Sequence, residues 1–245
     1  MKKVFITGAN KSIGYETAKQ LLKEGYYVYL GTRNLENGLQ AVEQLLAEGL
    51  SQVEAIQIDV TSQQSVDEAR KEIGDKTAVL DVLINNAGMS GVMPQFPTTA
   101  SMDSLQETFN VNLFGAVRTT QAFINLLRKS EEPHIVNVTS GLASLSMSGN
   151  PEFKYRNYVG GIYSPSKAAL NMYTIALANE LRDTPFKVNA VDPGFTATDF
   201  NNHQGTGSVE EAGKRILKYA MLGKDGVSGM FISEEINPET GVIAW

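Results

Sequence analysis

Short apolar runs alternate with amphipathic stretches along the whole chain. Lys3–Thr7, Tyr27–Leu30, Val53–Ile58, Leu80–Ile84, Ile135–Val138, Phe186–Val191 and Met230–Ile232 read as strands. Between them, Ser12–Glu24 carries apolar residues at helical spacing and stops at Gly25. Leu35–Glu48 does the same before Gly49. Thr61 or Ser62 can cap a helix over Gln63–Ile73. A long helix is expected over much of Met102–Lys129, another over Pro165–Arg182, and a capping box at Ser208-Val209-Glu210-Glu211 opens one reaching about Ala220. The strands are apolar nearly throughout rather than alternating, the mark of parallel strands covered on both faces. The pattern predicts an α/β chain: a Rossmann-type doubly wound parallel sheet in a single domain spanning 1–245. Such sheets bind ligands beyond the carboxyl ends of their strands.

Composition narrows the chemistry. The 245 residues include no Cys, which excludes thiolate metal sites and a thiol nucleophile. His134 and His203 are the two histidines, at no metal-ligand spacing, so no metal is expected. The formal charge of −6 disfavours nucleic acid and anionic membrane as partners. No apolar run approaches the roughly 18 residues of a membrane span. The first apolar stretch is too short for a signal-peptide core, so a cytoplasmic address is expected.

The first strand runs into Thr7-Gly8-Ala9-Asn10-Lys11-Ser12-Ile13-Gly14 and then a helix. Gly8 permits a sharp turn, Gly14 permits close helix–strand packing, and the N–H groups around Asn10, Lys11, Ser12 and Ile13 can hold a pyrophosphate. A site preferring NAD places a carboxylate roughly 20 residues past the glycines. Here Gly31-Thr32-Arg33-Asn34 offers none, and Arg33, with Lys11, can take a 2′-phosphate instead. The expected cofactor is therefore NADP(H).

Tyr163-Ser164-Pro165-Ser166-Lys167 places a Tyr and a Lys four residues apart at a helix start, on one face. A nearby ammonium lowers a phenol's pKa and fits it to protonate or deprotonate an alcohol oxygen. Ser140 follows the fifth strand on the ligand side of the sheet.

In order and spacing, Thr7-Gly8…Gly14, Asp59-Val60, Asn85-Asn86-Ala87-Gly88, Asn112, Ser140, Tyr163…Lys167 and Pro193-Gly194 resemble the short-chain dehydrogenase/reductase family. Lys11, Arg33 and the C-terminal pattern are most similar to its carbonyl-reductase-like, NADPH-using branch. The resemblance implies an oxidoreductase that interconverts a small-molecule carbonyl compound and an alcohol. Tyr163 would be general acid/base, and Lys167 would tune it and hold the nicotinamide ribose. Ser140 would polarise the substrate oxygen, and Asn112 would position a water in a proton relay. Asp59 and Val60 would meet adenine, Asn86, Ala87 and Gly88 would lie along the adenosine ribose, and Pro193, Gly194 and Thr196 would hold the nicotinamide amide. A non-catalytic NADP(H)-sensing regulator is the alternative, but such proteins commonly lose part of the Tyr/Lys/Ser set that this chain keeps. An epimerase or dehydratase of the extended branch would carry more chain after Pro193.

Two departures stand out. Ser12 occupies a place where the family usually has Gly or Ala, its side chain beside the pyrophosphate. An insertion near 149–161, rich in Tyr, Lys and Arg, precedes Tyr163. It resembles that of monomeric carbonyl reductases and is expected to shape the substrate pocket and favour a monomer over the family's dimer or tetramer. The polar, Gly-containing segment 198–207 reads as a flexible lid that excludes water, with His203 a solvent-exposed loop residue.

Overall fold

The computed structural model describes residues 1–245. Seven parallel strands form one sheet: β1 Lys3–Ile6, β2 Tyr27–Thr32, β3 Val53–Gln57, β4 Val82–Asn85, β5 His134–Val138, β6 Lys187–Val191 and β7 Phe231–Ile232. Their order across the sheet is β3-β2-β1-β4-β5-β6-β7. The lack of alternation in the strands has a direct cause, because successive side chains enter two different cores. Val4, Ile6, Val28 and Leu30 pack on one face with Ala18, Leu21, Leu45 and Ile216. Phe5, Tyr29 and Leu83 pack on the other with Ile73, Phe123 and Leu177.

Helices α1 Ser12–Lys23, α2 Leu35–Ala47 and α3 Gln63–Lys76 match the expected spans, with Ser62 capping α3 through Ser65 N–H. The expected long helix is two: α4 Met102–Phe109 and α5 Ala116–Leu127, joined by a π turn at Asn110–Gly115. A π turn holds one more residue per turn than an α turn, so its effect on which face a residue takes is invisible to a 3.6-residue period. Here Asn112 lands in the interior, 1% exposed.

A short α6 Leu145–Ser148 precedes α7 Tyr163–Glu180, which starts two residues before Pro165. The reason lies elsewhere in the chain. The Gln95 side-chain carbonyl accepts from the N–H groups of Ile162 (3.3 Å) and Tyr163 (2.9 Å), a cap supplied from 68 residues away. Helix α8 Val209–Ala220 opens on the expected capping box at Ser208 and Glu211. The order of connection reverses between β1 and β4, which opens a crevice at their carboxyl ends.

Candidate active site

The turn after β1 is held open by neighbouring backbone. Ala9 N–H donates to Gly31 O at 2.8 Å, tying the turn to the end of β2. Thr7 Oγ1 accepts from Asn86 N–H (3.1 Å) and Ala87 N–H (3.0 Å), tying it to the end of β4. Asn86 Nδ2 donates back to the carbonyls of Thr7 and Gly8, both at 2.9 Å. Gly8 has φ +65°, and a Cβ there would lie 3.0 Å from Ala87 Cα. At Gly14 a Cβ would be 2.6 Å from Gly8 O, so both glycines are required. The N-terminus of α1 has no side-chain cap, whereas α2, α3 and α8 are capped by Asn34, Ser62 and Ser208. An uncapped helix start in a glycine turn at the sheet's crevice fits a dinucleotide phosphate. Ser12 itself sits at φ +54°, a left-handed backbone that favours glycine.

Of the two expected 2′-phosphate ligands, Arg33 is exposed at the end of β2, its guanidinium without a protein partner. Lys11 instead pairs with Asp199 Oδ2 at 2.9 Å, both side chains more than half exposed. Asp59 accepts from Thr61 N–H and Thr61 Oγ1 through Oδ1, which fixes its turn. Val60 is buried against the π turn, where Arg118 bridges Val60 O and Asn110 Oδ1.

The second half of the site gathers at the ends of β4, β5 and β6. Lys167 is 4% exposed, and its ammonium donates to Val138 O at 2.9 Å. Asn112 Oδ1 accepts from Met89 N–H (2.8 Å), and its Nδ2 donates to Met89 O and Ser166 Oγ, both at 2.9 Å. Asn112 therefore does not touch Lys167 directly. The two meet around Gly88, where a Cβ would lie 3.4 Å from both Asn112 Oδ1 and Lys167 Nζ. Glycine leaves that space open to a ligand reaching the ammonium. Ser140 lies beside the Tyr163 phenol.

The electrostatics correct one expectation. Burial pushes the Tyr163 phenol up rather than down; Asp192 adds to this, and Ser140 partly offsets it. Burial alone pulls Lys167 down to about 8. The helical i,i+4 spacing holds, but Lys167 spends its ammonium on Val138 O. Both groups are desolvated, and burial favours the neutral form of each.

The segment expected as a lid over 198–207 carries local structure. Asp199–Asn201 forms a 3₁₀ turn opened by a capping box at Thr198 and Asn201. Phe200 packs edge-on to Tyr163, ring centroids 5.6 Å apart. His203, exposed as expected, joins Lys11 on Asp199. Pro193 and Thr196 are buried, and Gly194 has φ +87°. The insertion near 149–161 ends in a bridge from Gly160 to Gln95, next to the segment leading into α4.

A family model described as short chain dehydrogenase matches residues 2–208. The chain belongs to the short chain dehydrogenase family. Its sequence is 35% identical over 225 residues to short-chain dehydrogenase anuI of Penicillium roqueforti, covering 90% of this chain and 88% of that protein. It is 30% identical to (+)-neomenthol dehydrogenase of Capsicum annuum, covering 92% and 93%. Among solved structures it is similar to the NADPH-bound carbonyl reductase from chicken fatty liver, with TM-score 0.85, 26% identity and coverage of 100% and 99%. The seven-stranded parallel sheet is the scaffold of this dehydrogenase. Motif reading missed one residue that shapes its site: Gln95 lies in a stretch with no pattern of its own. Thr7 stands in the glycine motif, but the bonds of its hydroxyl to Asn86 and Ala87 were not legible there.

Proposed function

We propose that Tyr163 is the general acid and base by which this short chain dehydrogenase, an NADP(H)-dependent oxidoreductase, interconverts a carbonyl compound and an alcohol. The observation that carries the assignment is the convergence of Tyr163, Ser140 and Lys167 at the ends of β5 and α7, next to the space left by Gly88. The uncapped α1 start, the glycine turn and Arg33 would hold the dinucleotide, with Arg33 on the 2′-phosphate. Asp59, Val60, Asn86, Ala87 and Gly88 would line its adenosine side, and Pro193, Gly194 and Thr196 its nicotinamide end.

NADPH, when bound, supplies the hydride. The phenol O–H of Tyr163 donates its proton to the oxygen that becomes the alcohol, while Ser140 Oγ–H holds that oxygen in place. Burial keeps the phenol protonated, the form the reductive direction requires. Lys167 has N–H groups left beyond its bond to Val138, and these face the Gly88 space, where a ribose would sit. Asn112 fixes Met89 and Ser166 around that space.

The substrate is an apolar carbonyl compound. Val92, Met93, Phe96, Leu145, Val159 and Phe200 are exposed. All six lie on segments that follow β4, β5 or β6, at the end of the sheet where Tyr163 sits. Apolar side chains left in water there are covered by an apolar ligand at a gain of roughly 25 cal/mol per Å². No helix is long and apolar enough to cross a membrane, and the absence of Cys asks for no oxidising compartment, which supports a cytoplasmic address. The insertion supports a monomer, and sedimentation at a larger mass overturns that part.

The test is NADPH consumption against apolar and charged aldehydes, ketones and quinones, with NADH as control. Consumption confined to apolar carbonyls supports the reading. Preference for charged carbonyls overturns the substrate class, and turnover by Tyr163→Phe at the wild-type rate overturns the catalytic assignment.

A further inference from the structure

Glu235 lies just after β7, outside every motif that marks the family. Its carboxylate joins three parts of the chain. Oε2 accepts the Phe195 N–H at 2.7 Å. Oε1 accepts from Lys154 Nζ at 2.6 Å and from the Tyr155 hydroxyl. Only 19% of the side chain is exposed. Phe195 sits between Gly194 and Thr196, in a stretch with no regular ladder of its own. Backbone ties it on one side, where the N–H groups of Thr206 and Gly207 donate to Phe195 O at 2.8 and 2.9 Å, and side chains hold the rest. Gly194 N–H donates to Asp192 Oδ1 at 3.0 Å, and Arg215 takes Pro193 O at 2.6 Å. Two successive backbone N–H groups, those of Gly194 and Phe195, are thus each held by a carboxylate.

Lys154 and Tyr155 belong to the insertion. The Tyr155 ring packs edge-on to Phe195 at 6.3 Å and to Phe153 at 5.6 Å, and the Lys154 ammonium lies 4.7 Å from its centroid. Burial opposes ionisation of Glu235. Lys154, the Tyr155 hydroxyl and the Phe195 N–H outweigh it and hold the carboxyl below its ordinary range. The clamp is therefore an ionised acceptor facing three donors, the strong form of a hydrogen-bonded centre.

We propose that Glu235 is a positioning residue that sets the backbone of Gly194–Thr196 for the nicotinamide end of the cofactor and locks it to the insertion. This rests on the assignment of Pro193–Thr196 to the nicotinamide. Glu235 touches no reacting atom in this arrangement; it acts through the Phe195 amide.

Three readouts on the whole chain test it, with wild type, Glu235→Ala, Glu235→Gln and Tyr155→Phe. In the cofactor-free protein, amide exchange at Phe195 should quicken about tenfold or more in Glu235→Ala and less in Glu235→Gln, whose side-chain oxygen still accepts. With NADPH, the dissociation constant should stay within about threefold, because the adenosine end anchors elsewhere, while the fluorescence gain of bound nicotinamide is lost. With 9,10-phenanthrenequinone, kcat should fall about tenfold and the isotope effect from 4-deuterated NADPH should rise. If Glu235→Ala does not fold, Glu235→Gln and Tyr155→Phe carry the same comparison with smaller changes.

Phe195 exchange and nicotinamide fluorescence equal to wild type in Glu235→Ala overturn the inference alone. A wild type whose NADPH binds with no change in nicotinamide fluorescence overturns the assignment of Pro193–Thr196, and the inference with it.

Discussion

Between Thr7 and Gly14 the site is made of backbone, whereas between Ser140 and Lys167 it is made of buried side chains. In the first region the groups offered to a ligand are N–H groups of a helix start and glycines that admit a close approach, with the exposed Arg33 next to it at the end of β2. In the second, Ser166 and Lys167 are each 4% exposed or less; Lys167 is bonded to Val138 O, and Ser166 to the equally buried Asn112 of the π turn. Backbone donors bind phosphate without titrating near neutral pH and tolerate changes in surrounding side chains. Desolvated side chains are what acid–base chemistry needs, and each depends on its neighbours. Substitutions in the second region should therefore remove activity, and those in the first should change affinity or selectivity.

The largest effect tests that division directly. Tyr163→Phe should lower kcat/KM by about 10²–10⁴-fold, the usual contribution of a positioned acid or base. NADPH binding, followed by fluorescence titration, should remain within a factor of a few. Loss of binding on the same scale as activity would merge the two regions into one. Next is Arg33→Asp, which should weaken NADPH by about 10–100-fold, since a hydrogen bond to a charged group contributes roughly 1.5–3 kcal/mol. NADH should be affected little or improved. The expected asymmetry with Lys11 sharpens the point. Lys11 already has Asp199 as an exposed partner, so Lys11→Ala should cost less than the Arg33 change.

A third test uses pH. Burial lowers Lys167 to about 8 in the folded chain, below the ordinary lysine value of 10.5. Between these values the unfolded chain binds the extra proton, so stability attributable to this group rises with pH, by at most about 1.4 kcal/mol per unit. Tyr163, raised above its ordinary value of 10, works in the opposite direction only above pH 10. In urea unfolding from pH 8 to 10, wild type should gain stability relative to Lys167→Met. Parallel curves would mean that Lys167 is not desolvated.

Sequence reading and structure agree where a feature is periodic or compact. The strands, α1–α3 and the Ser208 capping box follow from local pattern, and the structure brings the motif residues Ser140, Tyr163 and Lys167 to one place. What was not legible is long-range. The π turn that buries Asn112 follows no period a helix pattern records. Capping of α7 by Gln95 joins residues 68 apart, and nothing within Ile162–Lys167 announces it. The direction of the Tyr163 shift was misread for a similar reason. Helical spacing places Lys167 on its side of α7, but the carbonyl of Val138, on another element, decides where the ammonium goes. The missing cap interaction is itself testable: Gln95→Ala should destabilise by about 0.5–2 kcal/mol, as loss of a helix cap does. Thermal unfolding should show a drop of a few degrees. An unchanged midpoint would place the start of α7 under the control of Pro165 alone.

The smallest effect concerns the one residue at which the backbone-built region departs from its own logic. Ser12 holds φ +54° among the N–H groups proposed to bind phosphate, a conformation costing a residue with a Cβ of order 1–2 kcal/mol. Glycine at this position would relieve that strain but would also widen the unfolded ensemble, which takes back roughly 0.5–1 kcal/mol. Ser12→Gly should therefore raise stability by about 1 kcal/mol or less, a shift of no more than a few degrees in the unfolding midpoint. NADPH affinity separates two uses of the serine. If its hydroxyl donates to the pyrophosphate, Ser12→Gly weakens NADPH severalfold while stabilising the free protein, and Ser12→Ala weakens NADPH without stabilising it. If both variants bind NADPH as wild type does, the turn works through backbone alone, and the contrast with the side-chain-built half holds without exception.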